Sequence, residues 1–257
     1  MKNAKSARRG SVRSDNLLTP QEWLAQQSTD NSSLYVVMSN TSDANPLKAY
    51  YEAREAFVPL PIWEGTPYAD WQPVMPYLGR LSPNSTFLDW AAQEKHKDWG
   101  WLALSTHKPS AIVEHLKSLT KVFMPDGSEV FFRLWDGRHL VPVIQTLNQQ
   151  FSTVLPCFDQ YWVNQFNASI TPSTYQTART YPWWNVPQAV LDALHENDAS
   201  TLIDNLMQHI QENHPDIYFK FPKINLLQKI KRFVQRQETD MDDTAQLIAQ
   251  LEKDASL

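Results

Sequence analysis

Residues 125–139 read PDGSEVFFRLWDGRH, and this stretch decides how we interpret the fold. It holds three acids, two arginines and a histidine, so it is a candidate active site as well as a candidate structural corner. Asp126 and Gly127 predict a tight turn between two short strands. Asp136 is placed to cap a helix that begins near Arg138. Every polar residue of this stretch therefore has a structural role available to it, and we favour the corner.

Strand alternation after the turn supports the same interpretation. It predicts two faces: Val130, Phe132 and Leu134 on one, and Phe131, Arg133 and Trp135 on the other. Arg133 can then lie over an aromatic ring. A metal-dependent nuclease hairpin would need a lysine shortly after Glu129, where this chain has Val130 and Phe131.

The composition is typical of a folded protein and has no excess of positive charge. The chain has 257 residues, 42% of them hydrophobic and 20% charged, with a net charge of -5, which argues against nucleic-acid binding. Its 6 glycines never form G-x-G, so no glycine-rich phosphate cradle is predicted. Its 10 tryptophans favour large apolar contacts in a core or on a partner-binding face. Cys157 is the single cysteine, which excludes an intrachain disulfide and a cysteine zinc site.

The N-terminal stretch of the chain differs from a secretory signal. Residues 1–16 are basic but lack a following apolar region, so we expect a solvated tail rather than a secretory signal. No window approaches the run of about 18 apolar residues that a membrane helix needs. We therefore expect a cytoplasmic protein with no membrane contact.

The order of patterns predicts an α/β (α+β) fold with two lobes. Residues 17–166 should form a mixed-sheet lobe with flanking helices, and residues 167–257 a linker and a smaller all-helical lobe. Strands are expected at 34–38, 57–63, 99–106, 121–124, 129–135 and 161–166. Helices are expected at 46–56, 84–93, 110–119 and 138–147, and in the second lobe at 186–196, 199–213, 222–237 and 239–254. The helix at 222–237 should present Ile224, Leu227, Ile230 and Val234 on one apolar face.

Candidate catalytic groups are few. His209 and His214 are five residues apart, so on one helix they could not share a face and bind zinc. Cys157 lies in apolar surroundings and is expected to be inert. Glu64 and Asp70 lie among aromatic residues, which leaves a carbohydrate-active hydrolase as an alternative. We otherwise expect no catalytic, metal or cofactor site.

A resemblance to a known family covers roughly residues 34–160. The segments GTPY (65–68), WG (99–100) and the hairpin entering an F-R-x-x-D-x-R corner resemble the adaptor-chaperone family of bacterial type VI secretion. The family usually has proline where this chain has Gly137, which loosens the corner without moving the cap. The residues that carry the resemblance are Gly65, Pro67, Tyr68, Trp99, Gly100, Asp126, Gly127, Phe132, Arg133, Asp136 and Arg138.

The resemblance implies a non-enzymatic adaptor. Such adaptors bind a toxic effector in the cytoplasm and help to load it onto the trimeric spike protein of the secretion machine. An immunity protein that neutralises a toxin is a further alternative.

Two aromatic segments are candidates for holding the partner. Tyr181, Trp183 and Trp184 lie between the lobes, and adjacent tryptophans cannot easily both enter one core, so at least one is expected to contact a partner. The alternative is that they hold the two lobes together. Tyr218, Phe219 and Phe221 form the second candidate.

Overall fold

The structure is a computed structural model that describes residues 18–29, 31–173, 179–236 and 244–254. The predicted tail at 1–16 lies outside the described residues. The chain divides into two compact units, unit 1 (Met1–Leu191) and unit 2 (Asp192–Leu257).

The elements follow the predicted order, although the strand expected at 57–63 is reduced to two residues. The strands are β1 (Ser33–Met38), β2 (Leu60–Pro61), β3 (Tyr77–Leu81), β4 (Gly100–Ser105), β5 (Lys121–Phe123), β6 (Glu129–Phe131), β7 (Gln160–Val163) and β8 (Phe166–Ser169). The first helices are α1 (Pro20–Ala25), α2 (Pro46–Glu52), α3 (Thr86–Gln93), α4 (Pro109–Lys117) and α5 (Gly137–Leu147). The later helices are α6 (Gln188–Asn213), α7 (Pro215–Lys220), α8 (Lys223–Arg236) and α9 (Thr244–Asp254). Short 3-10 helices cover Gln72–Val74 and Asn148–Thr153.

The main sheet of unit 1 has six strands in the order β2-β3-β1-β4-β7-β8. The α/β class is confirmed, but all five strand pairs are antiparallel rather than mixed. Helix α2 leads from β1 to β2, which lies beyond β3, and α3 leads from β3 to β4, which lies beyond β1. In both cases one antiparallel strand lies between the two strands that the helix joins. Those two strands are therefore parallel to each other and are not hydrogen-bonded neighbours.

One face of this sheet packs against α1, α2 and α3. Alternate residues of β1, namely Leu34, Val36 and Met38, enter this core. The helices contribute Trp23, Leu24, Ala49, Tyr50, Phe87, Leu88 and Ala91. Trp99 of the WG segment is 1% exposed and belongs to the same core.

The opposite face is also covered, so every residue of β4 is buried. The Trp101 ring lies 5.3 Å from that of Phe158, and its indole nitrogen donates to the Leu134 carbonyl at 2.8 Å. Strand β4 begins at Gly100, whose φ is +143° and where a Cβ would overlap the carbonyl oxygen of Val37. Glycine is therefore required for β1 and β4 to approach at this point.

Two elements of unit 1 are absent from the prediction above. Helix α1 starts with a capping box, in which the Thr19 hydroxyl accepts from the Glu22 amide at 3.2 Å and the Glu22 carboxylate accepts from the Thr19 amide at 2.9 Å. The Thr-x-x-Glu spacing is the sequence pattern of a capping box, so the start of this helix is predictable from the sequence. Strand β3 contains Gly79, which lowers strand propensity, and a Cβ there would overlap the Tyr50 ring. That strand depends on its contact with α2.

Strands β7 and β8 form a hairpin where a single strand, 161–166, was expected. The turn residues Asn164 and Gln165 have φ of 51° and 69°, as a two-residue hairpin turn requires, although Asn-Gln is not a typical turn pair. The lobe boundary predicted after Phe166 therefore falls inside β8, and the compact units divide after Leu191.

Unit 2 has a helical core of its own. The helices predicted at 186–196 and 199–213 form one helix, α6, because the residues between them include neither glycine nor proline. The core of unit 2 consists of Ile203, Leu206, Met207, Ile210, Ile217, Leu226, Ile230, Val234, Leu247, Ile248 and Leu251. Along α8 the buried stripe is Leu226, Ile230 and Val234, spaced by four. Ile224, expected on that face, is 66% exposed.

Candidate partner-binding surface

Strands β5 and β6 form the predicted hairpin, with Asp126 and Gly127 in its turn. Gly127 has φ of +84°, which favours glycine. The Asp126 carboxylate accepts from the hydroxyl and the amide of Ser128 at 2.6 and 2.9 Å, and these hydrogen bonds lower the pKa of Asp126. The role of Asp126 as a turn former is confirmed.

Asp136 caps α5, as predicted, and is completely buried. Its Oδ1 accepts from the backbone amide of Arg138 at 3.0 Å and from the Arg138 Nε at 3.1 Å, and its Oδ2 accepts from the Arg138 guanidinium at 2.7 Å. Arg133 lies 3.3 Å from the same Oδ2. Arg138 also lies 3.6 Å from Asp98. The acidic and basic side chains of this corner therefore form ion pairs and hydrogen bonds with one another.

The chain after β6 departs from the predicted alternation. The strand ends at Phe131, and the following corner buries both Leu134 and Trp135, which are 2% and 5% exposed. A turn causes this, since the Asp136 amide donates to the Arg133 carbonyl at 3.0 Å. Arg133 pairs with Asp136 rather than with a ring.

The GTPY segment forms a turn that orients Tyr68. Gly65 has φ of +74°, and Pro67 is exposed. The Thr66 hydroxyl donates to the Trp63 carbonyl at 2.7 Å and accepts from the Tyr68 amide at 3.1 Å. The Trp71 amide then donates to the Tyr68 carbonyl at 3.0 Å, and the two rings lie side by side with centroids 5.1 Å apart.

Six aromatic side chains from three distant segments meet here, and we call them the aromatic cluster: Trp63, Tyr68, Trp71, Phe131, Trp135 and Tyr181. Ring centroids of Tyr68 and Phe131 are 4.8 Å apart, those of Tyr68 and Trp71 5.1 Å, and those of Trp71 and Phe131 5.6 Å. Trp63 lies 5.3 Å from Trp135 and 5.9 Å from Phe131. Most of these pairs are tilted or edge-on, the geometries that aromatic quadrupoles favour.

The aromatic cluster has a buried base and an accessible rim. Trp63 is 2% exposed, whereas Trp71 is 46% exposed. Lys121 places its ammonium 5.7 Å from the Tyr68 ring centroid and 5.6 Å from that of Phe131. A hydrogen bond with the Tyr68 side chain raises the pKa of Lys121, so the ammonium stays charged beside the rings. Such a surface can hold apolar or aromatic groups of another protein.

A match to a family of proteins covers much of unit 1. Residues 34–152 match a family model described as "Domain of unknown function (DUF4123)". This family is associated with type VI secretion effectors. The matching residues include the hairpin, the corner and every member of the aromatic cluster except Tyr181. A search of curated proteins and a search of solved structures returned no match.

The YPWW segment, 181–184, belongs to unit 1, and its three aromatic side chains contact three different parts of that unit. Tyr181 enters the aromatic cluster, with its ring 6.4 Å from Tyr68, and partial burial raises the pKa of Tyr181. The Trp183 indole donates to the Ser118 hydroxyl at 3.2 Å. Trp184 is 9% exposed and lies 5.2 Å from Phe132, so little of its surface is available to a partner.

The second aromatic candidate lies in unit 2. Tyr218 and Phe221 are partly buried against the unit 2 core, and the Lys229 ammonium lies 5.2 Å from the Phe221 ring centroid. Phe219 is 81% exposed. Of the three predicted residues, Phe219 therefore presents the most surface for a partner.

The acid pair and the histidine pair singled out from the sequence lie in different units of the chain. Glu64 and Asp70 are both exposed beside the aromatic cluster. His214 follows the end of α6, so its ring lies 5.8 Å from that of His209 although the two residues do not share a helix. Across the described ranges, no three potential metal-ligating side chains are grouped. No helix within those ranges is both long and apolar enough to cross a bilayer.

The three segments of the aromatic cluster lie far apart in the sequence, and no local pattern connects them. Local patterns do not single out Trp63, Trp71 or Lys121 as parts of a surface. The readable signal was the density of aromatic residues in 63–71, but only the folded chain brings Phe131 and Tyr181 to it.

Proposed function

We propose that the protein is a non-enzymatic adaptor that binds a cognate type VI toxin effector in the cytoplasm and promotes its loading onto the trimeric spike protein. The aromatic cluster carries this proposal. Its base is fixed by the fold, and its rim leaves Trp71 46% exposed. Because tryptophan and tyrosine dominate binding energy at protein interfaces, this rim is suited to a protein partner.

The family association supports the same proposal. The segments that carry the resemblance also build the surface: the GTPY turn orients Tyr68, and the hairpin supplies Phe131. Asp136, by contrast, is buried and holds the corner in place. In this proposal the family's characteristic residues act by positioning the aromatic side chains rather than by chemistry.

Binding is tested with a candidate toxin, chosen from the genes that neighbour the gene of this protein. The two proteins are co-expressed, purified through a tag on the toxin, and their affinity is measured by titration calorimetry. Trp71→Ser is expected to weaken binding by about 2 kcal/mol, roughly 30-fold. Tyr51→Ser is the matched control, because Tyr51 is 58% exposed but lies on α2, outside the aromatic cluster. Equal affinity of both variants would contradict the assignment of the surface.

Loading is tested in the secreting cell. Deletion of the gene is expected to leave the toxin inside the cell, and re-expression of the protein to restore its release. The Glu64→Gln variant should restore release fully, since the proposed role needs no carboxylate chemistry. Failure of that variant, with normal toxin binding, would favour a hydrolase instead.

A further inference from the structure

The outer edge of β6 presents backbone groups that point away from the hairpin. The Phe132 amide donates to the Thr120 carbonyl at 3.1 Å, and the Met124 amide donates to the Ser128 carbonyl at 2.8 Å. Residues of an antiparallel strand alternate between pointing toward the partner strand and pointing away from it. The amides and carbonyls of Glu129 and Phe131 therefore point outward. Within the described parts of the chain, they form no hydrogen bond with another segment.

The other edge of the same hairpin shows how such groups are used. There the Phe123 amide donates to the Trp184 carbonyl at 2.9 Å, and the Val186 amide donates to the Phe123 carbonyl at 2.8 Å. An extended aromatic segment of the chain thus lies along β5 in a parallel bridge. The β5 edge of the hairpin is thus hydrogen-bonded to another segment, whereas the β6 edge is not, within the described residues.

The open edge lies directly beside the aromatic cluster. Phe131 belongs to both, since its backbone forms the edge and its ring lies 4.8 Å from Tyr68 and 5.6 Å from Trp71. A strand added at this edge would gain main-chain hydrogen bonds and place alternate side chains on the rings. This combination is how strand addition supplies affinity and specificity together.

We propose that the outer edge of β6 receives an extended segment of the effector as an added β-strand. This inference rests on the proposed function and names how the partner is held. Phe131 and Glu129 lie on the same face of β6, two residues apart. The bound segment should therefore carry an apolar residue opposite Phe131 and a basic residue opposite Glu129.

Charge complementarity supports the basic residue. The Glu129 side chain is 48% exposed, and its carboxylate lies 3.9 Å from the Lys121 ammonium, a loose pair. A second cation on the open side of Glu129 would face a carboxylate that is accessible. Opposite charges across a strand pair stabilise it modestly.

The first test is amide hydrogen exchange read by NMR on the wild-type protein. In the free protein, the amides of Glu129 and Phe131 should exchange quickly, while those of Val130 and Phe132 are protected by the hairpin. Addition of the toxin should slow exchange at Glu129 and Phe131. Protection in the free protein, from its own chain or from a second copy, would overturn the inference.

The second test removes a single outward donor. Glu129→Pro deletes an amide that the hairpin does not use, and proline is tolerated on edge strands. It should weaken toxin binding about tenfold, whereas Glu129→Ala should weaken it no more than about threefold. Equal effects of the two variants would contradict strand addition.

The outcomes separate the two proposals. If the toxin binds the wild-type protein without protecting Glu129 and Phe131, strand addition is wrong and the adaptor function stands. If the toxin does not bind at all, both are wrong. The exchange measurement needs no variant, so the inference remains testable even if Glu129→Pro does not fold.

Discussion

Replacing Asp136 with alanine is expected to destabilise unit 1 strongly without creating a specific binding defect. The carboxylate is buried, caps α5 and accepts three hydrogen bonds from Arg138. Alanine leaves the Arg138 amide without its cap and two guanidinium groups without their shared partner. The structural role of the corner is thereby tested at its centre.

The magnitude follows from the contacts. Loss of an N-cap costs about 1 kcal/mol, and removal of a buried charged acceptor costs about 3–5 kcal/mol when its partners stay buried. Here the side chains of Arg133 and Arg138 are 47% and 40% exposed, so water can replace part of what they lose. We expect a total of about 2–4 kcal/mol, or roughly 5–15 °C in melting temperature for a unit of this size.

The assay can be confined to unit 1. All 10 tryptophans of the chain precede Leu191, so tryptophan fluorescence during urea unfolding reports on unit 1 alone. Far-ultraviolet circular dichroism follows the helices of both units, so a transition that it shows and the fluorescence does not reports on unit 2. This separation matters because a chain with two compact units need not unfold in one step.

Two controls sharpen the comparison. Asp136→Asn keeps a cap acceptor but removes the charge, and should lose about half as much stability. Arg133→Ala removes the longer of the two arginine–Asp136 ion pairs, at 3.3 Å, and should cost less than about 1 kcal/mol. A loss below about 0.5 kcal/mol in Asp136→Ala would refute the reasoning, as would a folded variant that has lost toxin binding alone.

Three further predictions concern buried groups and a close backbone approach. Burial lowers the pKa of His115, so the folded state favours the neutral imidazole and the free energy of unfolding should fall as the pH drops below 6.5. In urea titrations, His115→Gln should lessen this fall. Burial raises the pKa of Cys157, so a thiol reagent at pH 8 should label it only after unfolding, and rapid native labelling would contradict its burial. Gly100→Ala should cost at least about 3 kcal/mol because its Cβ overlaps Val37, whereas Gly65→Ala, with open space around it, should cost about 1 kcal/mol in the same assay.

Local signals predicted the hairpin and the corner correctly. Asp126-Gly127 and Asp136 act within two or three residues of their own position, through turn and cap hydrogen bonds. Their effects therefore need no knowledge of distant segments. The same reasoning could have found α1, whose capping box lies within residues 19–22.

Elements supported mainly by distant contacts were harder to predict. Strand β3 carries Gly79 in its centre and is stabilised by β1 and by the Tyr50 ring, neither of which is visible locally. The fate of Arg133 likewise depended on the corner, which turned its side chain toward Asp136. In both cases tertiary contacts overrode a local pattern.

The sequence by itself determined the α/β class, the turn, the caps and the family resemblance, because these depend on residues that are near one another in the chain. Only the tertiary structure decided that Trp71, Phe131 and Tyr181 share one surface, and that the outer edge of β6 lies beside it. Aromatic contacts across more than 100 residues leave no periodic pattern in a single sequence. The proposed partner site therefore exists only in the folded chain, although the corner that supports it can be predicted from the sequence.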